Sequence, residues 1–158
     1  MPVEIVDESG GAAGPELLAL AERAAMAILE SVGHSGEELC VMLVDDDAMR
    51  ELNQEWRGKD ATTDVLSFSQ IEGEPMPEAV GMLGDVVVSV DTMMRQAAAG
   101  GWSDGEELVR LVLHGVLHLL GLDHELRADA EQMRDEEARV VAELAAHGIA
   151  CAWEGEAA

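Results

Sequence analysis

Three histidines lie close together in a segment that is otherwise almost wholly apolar. They are His114, His118 and His124, and the 158-residue chain has only five histidines in all. Residues four apart share a helix face, with about 5–6 Å between Cβ atoms, so His114 and His118 can bind one ion together. Gly121 tolerates positive φ and would let the chain turn back and bring His124 to that ion. Three neutral imidazoles suit Zn²⁺ and leave its fourth position open, so the spacing predicts one catalytic zinc ion (Zn2+) per chain.

The other two histidines are interpreted differently. His34 lies in a glycine-rich loop, and His147 lies in the last turn of a predicted helix, where a cation is favourable beside the terminal carbonyls. Asp123 and Glu125 flank the third histidine of the cluster and are candidates to hydrogen-bond an imidazole. Because three imidazoles also accept nickel, cobalt or iron, the spacing leaves the native metal open.

The residue that follows the first histidine separates two kinds of metal chemistry. The spacing is similar to the H-E-x-x-H-x-x-G-x-x-H signature of metzincin proteases, in which the glutamate is the general base. Here Gly115 occupies that position and accepts no proton. A metalloprotease is therefore the less favoured interpretation.

Hydrophobic periodicity and turn residues predict a single domain over residues 1–158 with an α+β fold. Ser103 and Glu106 have the spacing of a capping box that begins the histidine helix. Asp46 and Asp91 are the expected N-caps of two other helices. We expect an about four-stranded mixed sheet, about five helices and a metzincin-like metal-binding helix. The expected strands cover residues 3–7, 38–44, 65–69 and 84–90, and the helices cover about 15–31, 47–56, 91–100, 104–120 and 127–147. The apolar run 84–90 predicts a central strand.

Composition points to a soluble protein of the cytoplasm. No apolar run reaches the length of a membrane span, and no basic region precedes an apolar stretch at the amino terminus. Cys40 and Cys151 are too few for a disulfide framework, and Cys40 lies in an apolar run that predicts a buried free thiol in a reducing compartment.

The net charge is the unexpected figure. Nine basic residues against 33 acidic ones give −24, which repels polyanions at long range. The net charge alone therefore argues against nucleic acid as a partner. A local positive cleft would resolve the conflict: Arg50, Arg57 and Lys59 are close in sequence, and Arg95 or Arg110 is available to fold near them.

Three segments in order resemble one known family. The segment HGVLHLLGLDH, from His114 to His124, is similar to the H-G-x-L-H-L-x-G-y-D-H signature of the YbeY family of bacterial rRNA maturation factors. LNQEWRGKDATTDVLSF (52–68) resembles a second signature of that family and GDVVVS (84–89) a third, with Thr62 where proline is common. The three segments cover about a fifth of the chain.

The resemblance implies a single-strand-specific, metal-dependent endoribonuclease. It further implies a role in 16S rRNA 3′-end maturation and ribosome quality control, with His114, His118 and His124 binding zinc. Arg57 falls on the functionally important arginine of the family and Lys59 on its nearby basic residue. Their chemistry agrees, because a guanidinium can clamp phosphoryl oxygens while negative charge develops on them.

Several alternatives remain open at this level. The nucleophile is either water activated by the metal or the RNA's own 2′-OH, and Asp64 and Asp85 are either bases, metal-orienting groups or simple turn residues. The expected partners are single-stranded rRNA in the small ribosomal subunit and ribosome-associated proteins, with no membrane. A non-catalytic ribosome-assembly factor that uses the metal structurally is the main competing function.

Overall fold

The computed structural model describes residues 3–69, 82–121 and 127–152, and within these ranges it contains four strands and five helices. Side chains of residues 69, 82 and 127–130 lie outside the description. In chain order the elements are β1 (Val3–Glu8), α1 (Gly14–Ser31), β2 (Glu38–Val44), α2 (Asp46–Arg57), β3 (Val65–Ser69), β4 (Met82–Ser89), α3 (Val90–Gly100), α4 (Asp104–Leu119) and α5 (Arg127–Ala146). The predicted α+β fold is confirmed.

The four strands form one mixed sheet in the order β1-β2-β4-β3. Strands β1, β2 and β4 are parallel, whereas β3 is antiparallel to β4 and lies at an edge. The run GDVVVS therefore occupies an interior strand, as its apolar character predicts. Because side chains alternate along a strand, each strand contributes to both faces of this sheet.

Helices cover the two faces of the sheet unequally. The larger core cluster joins α1, α4 and α5 to one face, and it includes Val41, Val86 and Leu113. The smaller cluster lies under α2 on the other face and is centred on Met49 and Val87. No helix in the described ranges is long and apolar enough to cross a membrane.

Helix α4 begins where the sequence predicts. The Ser103 hydroxyl accepts from the Glu106 backbone N–H at 3.1 Å, and the Glu106 carboxylate accepts from the Ser103 N–H at 3.2 Å. This capping box satisfies two backbone donors that the helix itself leaves unpaired. The helix ends at Leu119, and Gly121 follows with φ of +89°. The glycine turn expected after the histidine helix is confirmed.

Two predicted N-caps are wrong. Asp45 rather than Asp46 caps α2, accepting from the Ala48 N–H at 2.8 Å, and Ser89 rather than Asp91 caps α3. The Asp46 carboxylate binds instead to the start of α3. It accepts from the hydroxyls of Ser89 and Thr92 at 2.6 and 2.7 Å and pairs with Arg95 at 2.8 Å. Desolvation opposes its ionisation, but these hydrogen bonds outweigh it and lower the pKa of Asp46 to about 2.

Candidate active site

His114 and His118 lie side by side on α4. Their ring centroids are 5.1 Å apart and the ring planes are tilted by 57°. Two imidazoles that bind one tetrahedral Zn²⁺ through nitrogens at about 2.0–2.1 Å also have ring centres about 5 Å apart. Both side chains are half-buried, between the core and the solvent. The pair therefore fits a shared metal ion in spacing, donor type and access.

The third predicted ligand, His124, lies outside the described residues, as do Asp123 and Glu125. Within 3–69, 82–121 and 127–152, no group of three or more histidine, cysteine, aspartate or glutamate side chains forms a metal site. The three-histidine set thus remains a prediction, of which the structure brings two members together.

Glu137 of α5 is a neighbour of the first histidine that the sequence analysis missed. Its Oε1 atom lies 3.7 Å from Nδ1 of His114, which is an ion-pair distance rather than a hydrogen bond. A carboxylate on the Nδ1 side favours the tautomer that leaves Nε2 for a metal ion. No local signal reveals this contact, because the partners are 23 positions apart on two helices that only the tertiary fold brings together.

Gly115 is required by the packing of α4 on the sheet. A Cβ atom at this position would lie 2.6 and 2.9 Å from the two methyl groups of Val86 and 3.2 Å from the Ser67 hydroxyl. That hydroxyl donates to the Gly115 carbonyl at 3.0 Å, so the helix backbone touches strand β3 directly. The glycine that argues against a protease base is thus also the residue that allows this close approach, and a glutamate has no room here.

Gly115→Ala is expected to lower the free energy of unfolding by about 1–2 kcal/mol. Overpacking costs about 1–3 kcal/mol, and the better helix propensity of alanine returns up to about 1 kcal/mol. Denaturant unfolding of this variant, of Val86→Ala and of the double variant measures the coupling. We expect the double variant to lose about 1 kcal/mol less than the sum of the singles, because Val86→Ala makes the room.

Gly36→Ala is the matched control, because a Cβ there meets nothing within 4 Å. Additive losses in the double variant, or an equal loss in the control, would show that close packing is not the reason for glycine at position 115.

Arg57 lies at the sheet edge beside this contact. It is the last residue of α2, which Gly58 ends in the left-handed conformation with φ of +69°. Its Nη2 atom donates to the backbone carbonyl of Ser67 at 3.4 Å. Since the hydroxyl of Ser67 bonds to Gly115, one residue of the edge strand connects the arginine to the helix turn between the two histidines. The structure thus links Arg57 to the histidine helix indirectly, through Ser67.

The positive charge of this surface is confined to few side chains. Lys59 is exposed two residues after Arg57. The other cations expected in a positive cleft are compensated by carboxylates: Arg50 by Asp60 at 2.7 Å, Arg95 by Asp46 at 2.8 Å and Arg110 by Glu107 at 2.6 Å. Among these five cations, Arg57 and Lys59 are the two that have no carboxylate partner in the described part of the chain.

Asp64 is a turn residue. One of its carboxylate oxygens accepts from the Val65 N–H at 2.8 Å, and the other accepts from Gln96 at 3.3 Å. Asp64 also receives the Ser89 N–H on its backbone carbonyl at 2.9 Å. These bonds tie the start of β3 to α3 and account for the aspartate without a catalytic role.

Asp85 lies on the opposite side of the sheet from the histidine helix. Its neighbour Val86 faces Gly115, and side chains alternate along a strand, so Asp85 faces away from α4. It lies beside Cys40 and Glu4 in one row across the strands. Burial raises the pKa of the Cys40 thiol to about 11, with smaller contributions from the two carboxylates. Cys40 is a free thiol, as predicted, but it is only partly buried.

A buried carboxylate two turns before His114 also escaped the sequence analysis. Glu107 is fully buried and accepts from Arg110 through Nε at 2.8 Å and Nη2 at 2.6 Å. Gln96 and Trp102 donate to the same carboxylate at 2.7 and 3.0 Å. The i, i+3 spacing of glutamate and arginine inside an apolar helix is the signal that was available. These bonds fix the amino-terminal half of α4 against α3.

Fold and site together define a class of protein. It is an α+β domain in which a helix with paired histidines packs against the edge strand of a mixed sheet, and a carbonyl of that strand binds the arginine at the end of another helix. The chain matches the sequence profile of the family described as Endoribonuclease YbeY over residues 8–145. It belongs to that family of endoribonucleases.

Individual relatives agree with this assignment. An endoribonuclease YbeY of Desulforamulus reducens is 46% identical over 132 residues, covering 81% of this chain and 86% of the relative. That of Pelotomaculum thermopropionicum is 43% identical over 148 residues, covering 91% and 97%. The Anaeromyxobacter dehalogenans protein is 50% identical over 116 residues, which are 73% of this chain, and the chain spans 58% of that longer relative.

A solved structure has the same fold. The solution structure of TM1509 from Thermotoga maritima is 28% identical in sequence and superposes with a TM-score of 0.56. The similarity covers 98% of this chain and 99% of that one. The resemblance drawn from the three sequence segments is confirmed at the level of the family.

Proposed function

We propose that this protein is a zinc-dependent, single-strand-specific endoribonuclease that matures the 3′ end of 16S rRNA and acts in ribosome quality control. The observation that supports the proposal is the contact chain through Ser67, which links Arg57 to the backbone of the helix turn that bears His114 and His118. Family membership supplies the reaction class, and this contact chain supplies a phosphate-binding cation next to metal-type donors.

His114 and His118 would hold the metal, with His124 as the third ligand. Bound zinc would supply a Lewis acid for phosphoryl oxygens and would lower the pKa of water toward neutrality. Arg57 donates two parallel N–H groups to the phosphoryl oxygens, where charge grows as the bond breaks, and Lys59 adds a point charge. Since the Ser67 carbonyl accepts a hydrogen bond from Nη2 of Arg57, the guanidinium is oriented before substrate arrives.

The partners follow from the charge balance. A net charge of −24 opposes binding to free polyanions, so we propose that ribosome-associated proteins present the rRNA to the enzyme on the small subunit. The free thiols Cys40 and Cys151 suit the reducing cytoplasm. The same charge favours the competing function, an assembly factor that uses its metal structurally.

The deciding experiment is cleavage of a defined single-stranded RNA, with the same sequence in a duplex as the control. We expect cleavage of the single strand only, loss of cleavage with a chelator, and recovery on addition of one equivalent of Zn²⁺. Circular dichroism before and after chelation separates loss of chemistry from loss of fold. Cleavage that a chelator leaves unchanged, or no cleavage by the zinc-loaded protein, would rule out the proposal.

A further inference from the structure

The side chain of Trp56 contributes little to the hydrophobic core. Its side chain is 65% exposed, although tryptophan is among the residues that gain most from burial. It lies in the last turn of α2, directly before Arg57. The smaller core cluster, centred on Met49 and Val87, closes without it. Because tryptophan is enriched where molecules meet, this exposed indole is a candidate contact surface.

The indole ring is held by an aromatic neighbour. It meets Phe68 edge to face, with centroids 6.0 Å apart and planes at 62°. Phe68 is on the edge strand β3 and, although only partly buried, packs against the core cluster under α2. Trp56 therefore presents a broad ring surface to the solvent while one of its sides rests on Phe68, and this contact lowers the side-chain entropy that binding would cost.

The position of the ring relative to the histidines follows from the edge strand. Ser67 faces α4, and the next residue, Phe68, faces α2. Arg57 bonds to the carbonyl between those two side chains. Arg57 thus lies at the edge of β3, with the histidine helix on one face of the sheet and Trp56 on the other. A nucleic acid strand whose phosphate meets Arg57 would bring a flanking base over the indole.

Charge also favours a stacking contact. On a chain of net charge −24, Arg57 and Lys59, which have no carboxylate partner among the described residues, can hold few phosphates, so an interaction that does not depend on charge would add to the affinity. Base-on-indole stacking is such an interaction and needs a base that is not already stacked in a duplex. We propose that Trp56 is a stacking platform for an unpaired base of the RNA substrate; this inference rests on the proposed ribonuclease function.

A protein partner is the alternative occupant of the same ring, because tryptophan and arginine are also frequent in protein interfaces. The contact chain from Arg57 through Ser67 to the histidine helix favours RNA, since it connects the residue that follows Trp56 to the proposed reaction centre. The test below distinguishes the two occupants.

The test compares wild type with Trp56→Ala, using a short fluorescent oligouridylate read by stopped-flow anisotropy before it is cleaved. We expect Trp56→Ala to weaken binding about tenfold and to raise KM more than it lowers kcat, because one stacked base is lost. The slope of affinity against salt should not change. Lys59→Ala should instead make that slope shallower by about 0.7, which is one phosphate contact.

Matched variants separate stacking from other effects. Trp56→Phe should retain most of the affinity, whereas Trp56→Leu should lose it as alanine does, because an apolar chain without a ring cannot stack. Met26→Ala removes a large exposed apolar side chain on α1, the other one found among the described residues, and should bind like wild type. An oligomer of abasic nucleotides should bind wild type and Trp56→Ala equally.

Unchanged affinity and KM in Trp56→Ala would overturn the inference, and loss of small-subunit binding in that variant would then assign the ring to a protein partner. Wild type that binds the oligomer through Trp56 but does not cleave it would contradict the proposed function and leave this inference standing. Wild type that fails to bind single strands at all would overturn both.

Discussion

His114→Ala is expected to remove stoichiometric zinc and to reduce RNA cleavage by at least about 10³-fold, with the fold intact. The variant lacks one of the three proposed ligands, and a catalytic metal ion would contribute several kcal/mol of transition-state stabilisation. The fold should survive because His114 is partly exposed and the core of α4 is built from its apolar residues. Elemental analysis, circular dichroism and an initial-rate assay on single-stranded RNA measure the three quantities.

His147→Ala is the matched control, since this histidine is exposed beyond the end of α5 and is not expected to bind the metal. It should retain both zinc and activity. Wild-type cleavage by His114→Ala would disprove the catalytic metal. Lost cleavage with intact ribosome maturation would favour the assembly-factor function.

Arg57→Ala is expected to lower kcat/KM by about 10²–10³-fold while zinc content stays at the wild-type level. Preorganised donors aimed at developing charge contribute about that much, and the bond to Ser67 shows that this guanidinium is oriented in advance. Arg57→Lys should recover only part of the rate, because an ammonium cannot make the two-point contact. Steady-state kinetics with parallel elemental analysis measure the effect.

Arg50→Ala provides the control for general charge effects. It removes a cation from the same helix, but one that Asp60 already compensates in an exposed pair. We expect its activity and stability to change little. If Arg57→Ala were as active as Arg50→Ala, the role of Arg57 would be reduced to satisfying a carbonyl of the edge strand.

Much of the fold follows from local patterns. The apolar runs predict all four strands, and the capping box at Ser103 predicts the start of α4, because each depends on neighbours within a few residues. The caps of α2 and α3 are where this reasoning fails. Asp46 has the type and position of a cap, but its carboxylate finds Ser89 and Thr92, which are more than forty positions away in sequence. A local pattern cannot reveal that competition.

The sequence by itself determined the pairing of His114 with His118, since a spacing of four on a helix is sufficient to bring two imidazoles together, and it determined the family. The tertiary structure decided the environment of that pair. In the fold, Arg57 and Gly115 both bond to Ser67 of the edge strand. Asp85 lies on the other face of the sheet, and carboxylates compensate the charges of Arg50, Arg95 and Arg110. The physical reason is range: helical spacing acts over one turn, whereas the contact between Ser67 and Gly115 joins residues 48 positions apart that only the packing of α4 on β3 brings together.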